Sequence, residues 1–269
     1  EYHYTKHFDF WLVQRGLLMS FVSAVVLGLV QGFTEFLPIS SSGHLILVQR
    51  LFGLIPDLFT AVAMHFGTLV AVVIFYRKKI WSIVKNPLSP LCLKLVLATL
   101  PTVALGILAK LFAENWLEGA LLPVGFALTV IVLILPEFFS KNRDNLLSMN
   151  YPSAFVCGVA QGISVLPGLS RSGTTVCALK CMGVKTESAF EFSFLLSVPV
   201  ILGSVILTLP EAIASPTPPD ILATLAGTVV SGVSGYFSLF WLKKLSQSKN
   251  LRGFAYYMIF PFLLACITA

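Results

Sequence analysis

The chain has 269 residues, of which 57% are hydrophobic and only 11% are charged, and its formal net charge is +6. In a soluble domain about a quarter of the residues are charged, so this composition excludes a soluble domain. The 22 phenylalanines exclude a disordered chain. Lys and Arg cluster between apolar runs and do not alternate with exposed aromatics, which indicates membrane orientation signals and no nucleic-acid partner. The composition therefore predicts an all-α polytopic membrane protein.

The first residues differ from the rest of the chain. Residues 1–18 are aromatic and polar, and Met19 follows them directly before the first apolar stretch. We expect residues 1–18 to be an N-terminal extension or a remnant of cloning, and residues 19–269 to form a single integral membrane domain.

Long apolar stretches recur along the rest of the chain. Runs long enough to span a bilayer cover residues 58–76, 91–110, 119–137, 188–209, 221–242 and 253–268. Two further apolar stretches, 20–52 and 153–182, are interrupted near their middles by Pro, Gly and Ser. A continuous helix would break there, so each stretch is predicted to form two half-length helices joined by a polar turn. Irregular backbone at membrane depth is tolerated only when buried or lining a cavity, so both turns are candidate sites.

The two interrupted stretches match each other. Residues 31–43 pair with residues 161–173 without a gap, and three spanning runs follow each match. The chain is therefore predicted to contain two copies of one unit, 19–140 and 151–269, each a re-entrant helical hairpin plus three transmembrane helices. A hairpin returns to its own side of the membrane whereas three crossings do not, so the second copy is expected to be inverted.

Loop charges predict the orientation. One side of the membrane is basic, and its charged residues are Arg77, Lys78, Lys79, Lys85, Lys141, Arg143, Lys180, Lys185, Lys243, Lys244, Lys249 and Arg252. The other side is mixed, and its charged residues are Arg50, Asp57, Lys110, Glu114, Glu118, Glu211 and Asp220. By the positive-inside rule the basic side is cytoplasmic, which places both termini outside.

The first predicted hairpin contains polar groups that suit catalysis. Gln31 and Glu35 are four residues apart on one helix face, and Ser41 and His44 are three apart on another. A carboxylate at membrane depth costs about 2.5–3.5 kcal/mol, so Glu35 needs a partner or a task. Pairing with a buried arginine is the simple alternative, but Ser41 as nucleophile and His44 as acid or base complete a reaction centre. Glu35 and the Gln31 amide are also a candidate site for a divalent metal, Mg²⁺ or Ca²⁺.

The second predicted hairpin suits an anion. Arg171 stands where the returning half-helix begins, and free N–H groups and the helix dipole favour an anion there. A guanidinium matches phosphate oxygens in two-point fashion, and hydroxyl groups add donors. The predicted substrate-binding residues are Arg171, Ser40, Ser42, Ser170, Ser172, Gly173, Thr174 and Thr175.

Together the hairpins favour hydrolysis of a phosphate ester or anhydride, because such catalysis is mainly positioning and charge neutralisation. A site within the membrane suits a polyprenyl pyrophosphate lipid, since each buried CH₂ anchors a chain by ~0.8 kcal/mol. The chief alternative is a transporter or flippase of a polyprenyl phosphate, because inverted repeats and broken helices are typical of transporters. A transporter needs no nucleophile, so Ser41 and His44 favour the enzyme.

Two segments carry a family resemblance. Residues 31–44 (QGFTEFLPISSSGH) and 167–175 (PGLSRSGTT) resemble the bacterial undecaprenyl-pyrophosphate phosphatases, also called bacitracin-resistance phosphatases, and the resemblance extends over about residues 19–269. It implies a bacterial plasma (inner) membrane enzyme that removes the terminal phosphate of undecaprenyl pyrophosphate and recycles the carrier lipid for peptidoglycan synthesis. It also implies a divalent metal and a site open to the outer face.

The resemblance carries the functional positions of that family to Glu35, Ser41, His44 and Arg171. Gln31 stands at a position that is Glu or Gln in the family. Whether Ser41 or His44 attacks phosphorus stays open at this point, as does the oligomeric state, for which a homo-oligomer is one option.

One further histidine lies in an apolar run. His65 lies within the run 58–76 and is interpreted as a hydrogen-bonded interior histidine, which we favour over a supporting role beside the site.

Ser42-Gly43-His44 is similar to the Pro-Ser-Gly-His motif of another class of membrane phosphatases. That class also needs a downstream His followed by Asp, and only His65 follows His44, so we set it aside.

Overall fold

The computed structural model describes residues 21–54, 58–112, 120–139, 149–214, 220–246 and 251–268. Within these ranges the chain is helical and contains no β-strand. The extension predicted at 1–18 and several charged loop residues lie outside the described residues: Lys141, Arg143, Lys249, Asp57, Glu114 and Glu118.

The described helices follow one another in a simple order. They are α1 (Phe21–Phe36), α2 (Ser41–Phe52), α3 (Leu58–Phe75), α4 (Arg77–Lys85), α5 (Pro90–Phe112), α6 (Leu122–Ile134), α7 (Pro136–Phe139), α8 (Tyr151–Ile163), α9 (Arg171–Cys181), α10 (Thr186–Ile213), α11 (Ile221–Leu245) and α12 (Arg252–Thr268).

Five segments of the described chain are long and apolar enough to cross a membrane. They are α3, α5, α6 with α7, α10 and α11. They coincide with five of the six runs predicted from sequence, and the sixth run forms α12, an apolar helix of 17 residues. At most 39% of any such span is buried inside the protein, so most of each apolar surface faces outward and suits lipid rather than water. The prediction of a polytopic α-helical membrane protein is confirmed.

Small residues let two pairs of helices approach closely. A Cβ atom on Gly28 of α1 would lie 2.4 Å from the Gly227 carbonyl oxygen of α11, and one on Gly158 of α8 would lie 2.1 Å from the Ala98 carbonyl oxygen of α5. Any side chain would therefore force these backbones apart. The first helix of each predicted unit thus packs against a long helix of the other unit.

The two predicted helix breaks are present. The first, between α1 and α2, ends at Ser40, a non-glycine residue with φ of 68°. The second, between α8 and α9, contains Gly168 with φ of 88°. Each ends in a serine N-cap: Ser40 Oγ accepts from the Gly43 N–H at 3.3 Å, and Ser170 Oγ accepts from the Gly173 N–H at 3.1 Å.

The two breaks lie against each other. Ser172 Oγ on α9 donates to the Leu37 carbonyl in the first break at 2.9 Å. A Cβ on Gly43 would lie 2.8 Å from the Gly168 Cα in the second break. Thr129 of α6 holds the second break in place, because its hydroxyl donates to the Gly168 carbonyl at 2.7 Å and accepts from the Ser170 N–H at 2.8 Å. The turns that the sequence marked as site candidates are therefore adjacent.

One segment differs from the sequence-based interpretation. Residues 77–85, assigned to a loop because of their positive charge, form the nine-residue helix α4, which has no buried residue. Tyr76 joins it to α3, and the Ile80 N–H donates to the Tyr76 carbonyl at 2.9 Å. Charge marks the end of the apolar run but does not prevent a helix, because Lys and Arg are good helix formers.

Candidate active site

Glu35 is the centre of a buried polar cluster. It lies near the end of α1 with 5% of its surface exposed. Its Oε1 accepts from Arg171 Nη2 at 2.7 Å, and its Oε2 accepts from Ser41 Oγ at 2.7 Å and from Gln31 Nε2 at 2.9 Å. Three of the other sequence-predicted residues thus surround the Glu35 carboxylate: Arg171, Ser41 and Gln31.

Arg171 carries unused hydrogen-bonding capacity. Its Nη2 donates to the Glu35 carboxylate and, at 3.3 Å, to the Glu35 carbonyl. Its Nη1 is buried and has no partner among the described residues. A buried, unsatisfied guanidinium nitrogen is costly, so a ligand with an acceptor oxygen is expected there.

A small cavity lies beside these groups. Its volume is about 40 Å³, and its lining comprises Thr34, Glu35, Ser40, Ser41, Ser42, Ser164, Leu169, Ser170, Arg171 and Ser172. Arg171 is the first residue of α9, so the free N–H groups of the first turn of that helix lie at the same place. The cavity therefore combines a serine hydroxyl, a carboxylate, a guanidinium and a helix N-terminus.

Three of the predicted binding residues do not line this cavity: Gly173, Thr174 and Thr175. The Thr174 hydroxyl donates to the Ser170 carbonyl at 2.7 Å. The Thr175 hydroxyl is fully buried and hydrogen-bonds Ser193 Oγ of α10 at 2.6 Å. These hydroxyls stabilise the start of α9 and its packing, and substrate contact by Gly173, Thr174 and Thr175 stays a prediction.

His44 also lies apart from the cavity lining. Its Nδ1 is 2.7 Å from the Ser40 carbonyl oxygen, and its Nε2 is 2.9 Å from the Tyr257 hydroxyl on α12. The two rings stack with centroids 5.7 Å apart and an interplanar angle of 6°. A carbonyl can only accept, so Nδ1 carries the hydrogen and Nε2 accepts from the Tyr257 hydroxyl when the ring is neutral. The structure thus brings Ser41, and not His44, to Glu35.

His65 belongs to the cluster, so its position agrees with the less favoured of the two interpretations, a supporting role beside the site. Its Nδ1 lies 2.9 Å from Gln31 Nε2 and 3.6 Å from Glu35 Oε2, and about a third of its side chain is exposed. The sequence did contain a signal for this role, because a titratable side chain inside an apolar run, such as His65, indicates a functional site when it lies at membrane depth.

The cluster fits a divalent cation only in part. The described residues contain no group of three or more His, Cys, Asp or Glu able to hold a metal. Gln31 Oε1 is nevertheless buried without a partner among them, so Glu35 and Gln31 present the hard oxygen ligands that Mg²⁺ and Ca²⁺ prefer. Two protein ligands leave the remaining coordination positions to water and substrate oxygens.

Comparison with known proteins identifies the family. Residues 24–263 match the family described as bacitracin resistance protein BacA. The chain belongs to the BacA family. Curated relatives named undecaprenyl-diphosphatase from Carboxydothermus hydrogenoformans and Halothermothrix orenii are each 38% identical over 245 residues, which cover 89% of this chain and 94% of each relative. A third, from Thermosipho melanesiensis, is 37% identical over 243 residues, covering 88% of this chain and 94% of the relative. The resemblance inferred from the two hairpin motifs is confirmed, and the BacA match includes Glu35, Ser41, His44 and Arg171.

Proposed function

We propose that this membrane protein hydrolyses undecaprenyl pyrophosphate to undecaprenyl phosphate and inorganic phosphate, and so recycles the carrier lipid for cell-wall synthesis. Membership of the BacA family and relatives named undecaprenyl-diphosphatase support this activity. The observation that carries it is the buried Nη1 of Arg171, which has no partner in the described chain and lies in a cluster with Ser41 and Glu35. That arrangement binds a phosphate and offers it a nucleophile.

In this proposal Arg171 holds the terminal phosphoryl group. Its Nη2 stays with Glu35, whereas its Nη1 and the N-terminal N–H groups of α9 donate to the phosphate oxygens. A guanidinium keeps its charge at every physiological pH, so the clamp stabilises the negative charge of the transition state throughout.

Ser41 is the nucleophile that the geometry favours. Its hydroxyl already donates to Glu35 Oε2, so the carboxylate takes the proton as the Ser41 oxygen forms a bond to phosphorus. The bridging P–O bond breaks, and undecaprenyl phosphate leaves. Glu35 passes that proton to the departing undecaprenyl phosphate and is ionised again. Water then attacks the phosphoserine and loses a proton to Glu35, the bond between phosphorus and the Ser41 oxygen breaks, and Glu35 returns the proton to Ser41 as inorganic phosphate leaves.

The neighbouring groups position this pair. Gln31 Nε2 donates to the Glu35 oxygen that also accepts from Ser41, and His65 supports Gln31 from α3. His44 fixes the start of α2 through the Ser40 carbonyl and Tyr257, and we assign it a positioning role in place of the acid–base role expected from sequence. Glu35 and Gln31 would hold a Mg²⁺ or Ca²⁺ ion, which when bound neutralises pyrophosphate charge.

The proposal includes the inverted-repeat architecture predicted from sequence, with one membrane domain at 19–269 and copies at 19–140 and 151–269. The packing supports it, because equivalent helices exchange partners between the copies: α1 packs on α11, and α8 packs on α5. The breaks are paired in the same way, since Gly43 approaches Gly168 and Gly173 approaches the equivalent position, Pro38. Two re-entrant hairpins that meet within the membrane account for this symmetry.

The proposed orientation places the basic end in the cytoplasm. Helix α4 carries four of the cations of this end, and Lys243 and Lys244 end α11. By the positive-inside rule both termini then lie outside, and the site opens to the outer face of the bacterial plasma membrane. The protein would then bind undecaprenyl pyrophosphate in the outer leaflet.

Phosphate release from the purified protein tests the function. We expect undecaprenyl pyrophosphate to yield inorganic phosphate and undecaprenyl phosphate in equal amounts, and Arg171→Ala to lower kcat by about 10²–10³-fold, as for loss of a transition-state donor. Arg50→Ala on the exposed face of α2 is the matched control and should keep wild-type turnover. Movement of polyprenyl phosphate across vesicles without phosphate release would instead favour the transporter.

A further inference from the structure

A second and much larger cavity lies at the basic end of the bundle, away from the Glu35 cluster. Its volume is about 430 Å³, and it is formed by the ends of α3, α10 and α11 together with α4. This volume lies in the range of small-molecule binding sites. Nothing in the proposed hydrolysis uses it.

The walls of this basic-end cavity combine cations with aromatic rings. Arg77, Lys78, Lys79 and Lys243 line it together with two carboxylates, Glu187 and Glu191. The cations outnumber the carboxylates by two (four minus two), and one carboxylate is already neutralised because Lys79 Nζ lies 3.0 Å from Glu191 Oε1. The cavity therefore has an excess of positive charge that suits an anion.

The aromatic side of the cavity is continuous. The Tyr76 ring lies 5.0 Å from Phe75 and 6.3 Å from Phe194, and Phe190 stacks on Phe194 at 5.8 Å. Lys243 Nζ lies 6.0 Å from the centre of the Phe75 ring, at the limit of a cation–π contact. Burial and the neighbouring Glu191 and Glu187 carboxylates raise the pKa of Tyr76, so its phenol stays protonated and able to donate. Apolar walls under a rim of cations fit an amphipathic anion better than a free inorganic one.

Helix α4 places this cavity at the membrane surface. It follows directly on the spanning helix α3, has no buried residue, and exposes Trp81 and Val84. Lys85 Nζ lies 5.4 Å above the Trp81 ring, as expected for a basic side chain beside an interfacial aromatic. A basic, aromatic helix in this position suits the plane of the lipid headgroups.

We propose that the basic-end cavity binds the phosphate headgroup of an anionic membrane phospholipid, with its acyl chains along α3 and α10. Basic pockets between transmembrane helices are the sites where anionic headgroups bind. The site is distinct from the hydrolytic one, because the two cavities share no lining residue. The ring of Phe194 in the cavity wall is in edge contact with the ring of Phe36, at 5.6 Å between centroids, so packed aromatic side chains lie between the cavity and α1. The lipid would fasten this end of the bundle to one leaflet.

Lipid retention tests the proposal on the whole protein. The purified protein is equilibrated with phosphatidylcholine containing phosphatidylglycerol, and bound lipid is counted by native mass spectrometry. We expect selective retention of phosphatidylglycerol, weakened about fivefold by Lys243→Gln or Arg77→Gln, since each basic residue near a membrane surface contributes about that factor. Lys85 lies on α4, as Arg77 does, but does not line the cavity, so Lys85→Gln should retain the lipid as the wild type does.

Further measurements separate this result from other causes. Lys243→Arg keeps the charge and should restore retention, and phosphate release by each variant in phosphatidylcholine should equal that of the wild type. Equal weakening in Lys85→Gln would show diffuse surface charge and overturn the proposal. Displacement by millimolar inorganic phosphate, or retention of polyprenyl monophosphate but not phosphatidylglycerol, would overturn it in favour of a free anion or of the reaction product.

Discussion

Replacing Glu35 by Gln separates the two tasks that the structure gives this carboxylate. Glu35→Gln keeps the size of the side chain but removes both the charge that faces Arg171 at 2.7 Å and the base that accepts from Ser41 at 2.7 Å. With Glu35 5% exposed, the pair is buried, and breaking a buried pair costs about 3–5 kcal/mol of stability because the other charge is left unpaired. Loss of a general base lowers kcat by about 10²–10⁴-fold.

The same variant should respond more strongly to phosphate than the wild type. An anion bound at Arg171 replaces the missing carboxylate, so inorganic phosphate should raise the melting temperature of Glu35→Gln by more than that of the wild type. Thermal unfolding with and without phosphate, alongside kcat, measures both effects. Glu211→Gln is the control, because its pair with Lys110 is half-exposed and is expected to contribute at most about 1 kcal/mol. Wild-type stability, an unchanged phosphate response and a kcat within tenfold of normal would refute this account of Glu35.

Three further outcomes are expected. Ser41→Ala should lower kcat by about 10³-fold or more and give no phosphoserine on rapid quenching with substrate; near-normal turnover would exclude Ser41 as nucleophile. Chelators should suppress activity and Mg²⁺ or Ca²⁺ should restore it, with Gln31→Ala needing more metal; activity indifferent to chelation would remove the ion from the proposal. Lys78→Cys should react with an impermeant thiol reagent only from the cytoplasmic side, and labelling from outside would invert the proposed topology.

Local patterns explain why much of this molecule could be predicted. Apolar runs of spanning length identify helices because backbone polar groups must be satisfied within the segment in lipid. Pro and Gly flanked by serines identify both helix breaks, and the serines at 40 and 170 act as N-caps in the structure. Two opposite charges in such breaks are each too costly to bury alone, which accounts for the expected contact of Glu35 with Arg171.

The remaining features depend on contacts that no local pattern contains. The spacing of Ser41 and His44 places them near each other on α2, but the direction of the imidazole is set by Tyr257, more than two hundred residues later. His65 joins the cluster only because α3 packs beside the end of α1.

The seating of Gly28 on Gly227 has a consequence for biosynthesis. Helix α1 packs against a residue that is synthesised about two hundred residues later, so α1 lacks this packing partner while the first half of the chain is being inserted. Maturation is therefore a late event: the hydrolytic centre assembles only once α11 has been inserted. A chain truncated before that helix should be inert and an early target for membrane proteases, however complete its own motif.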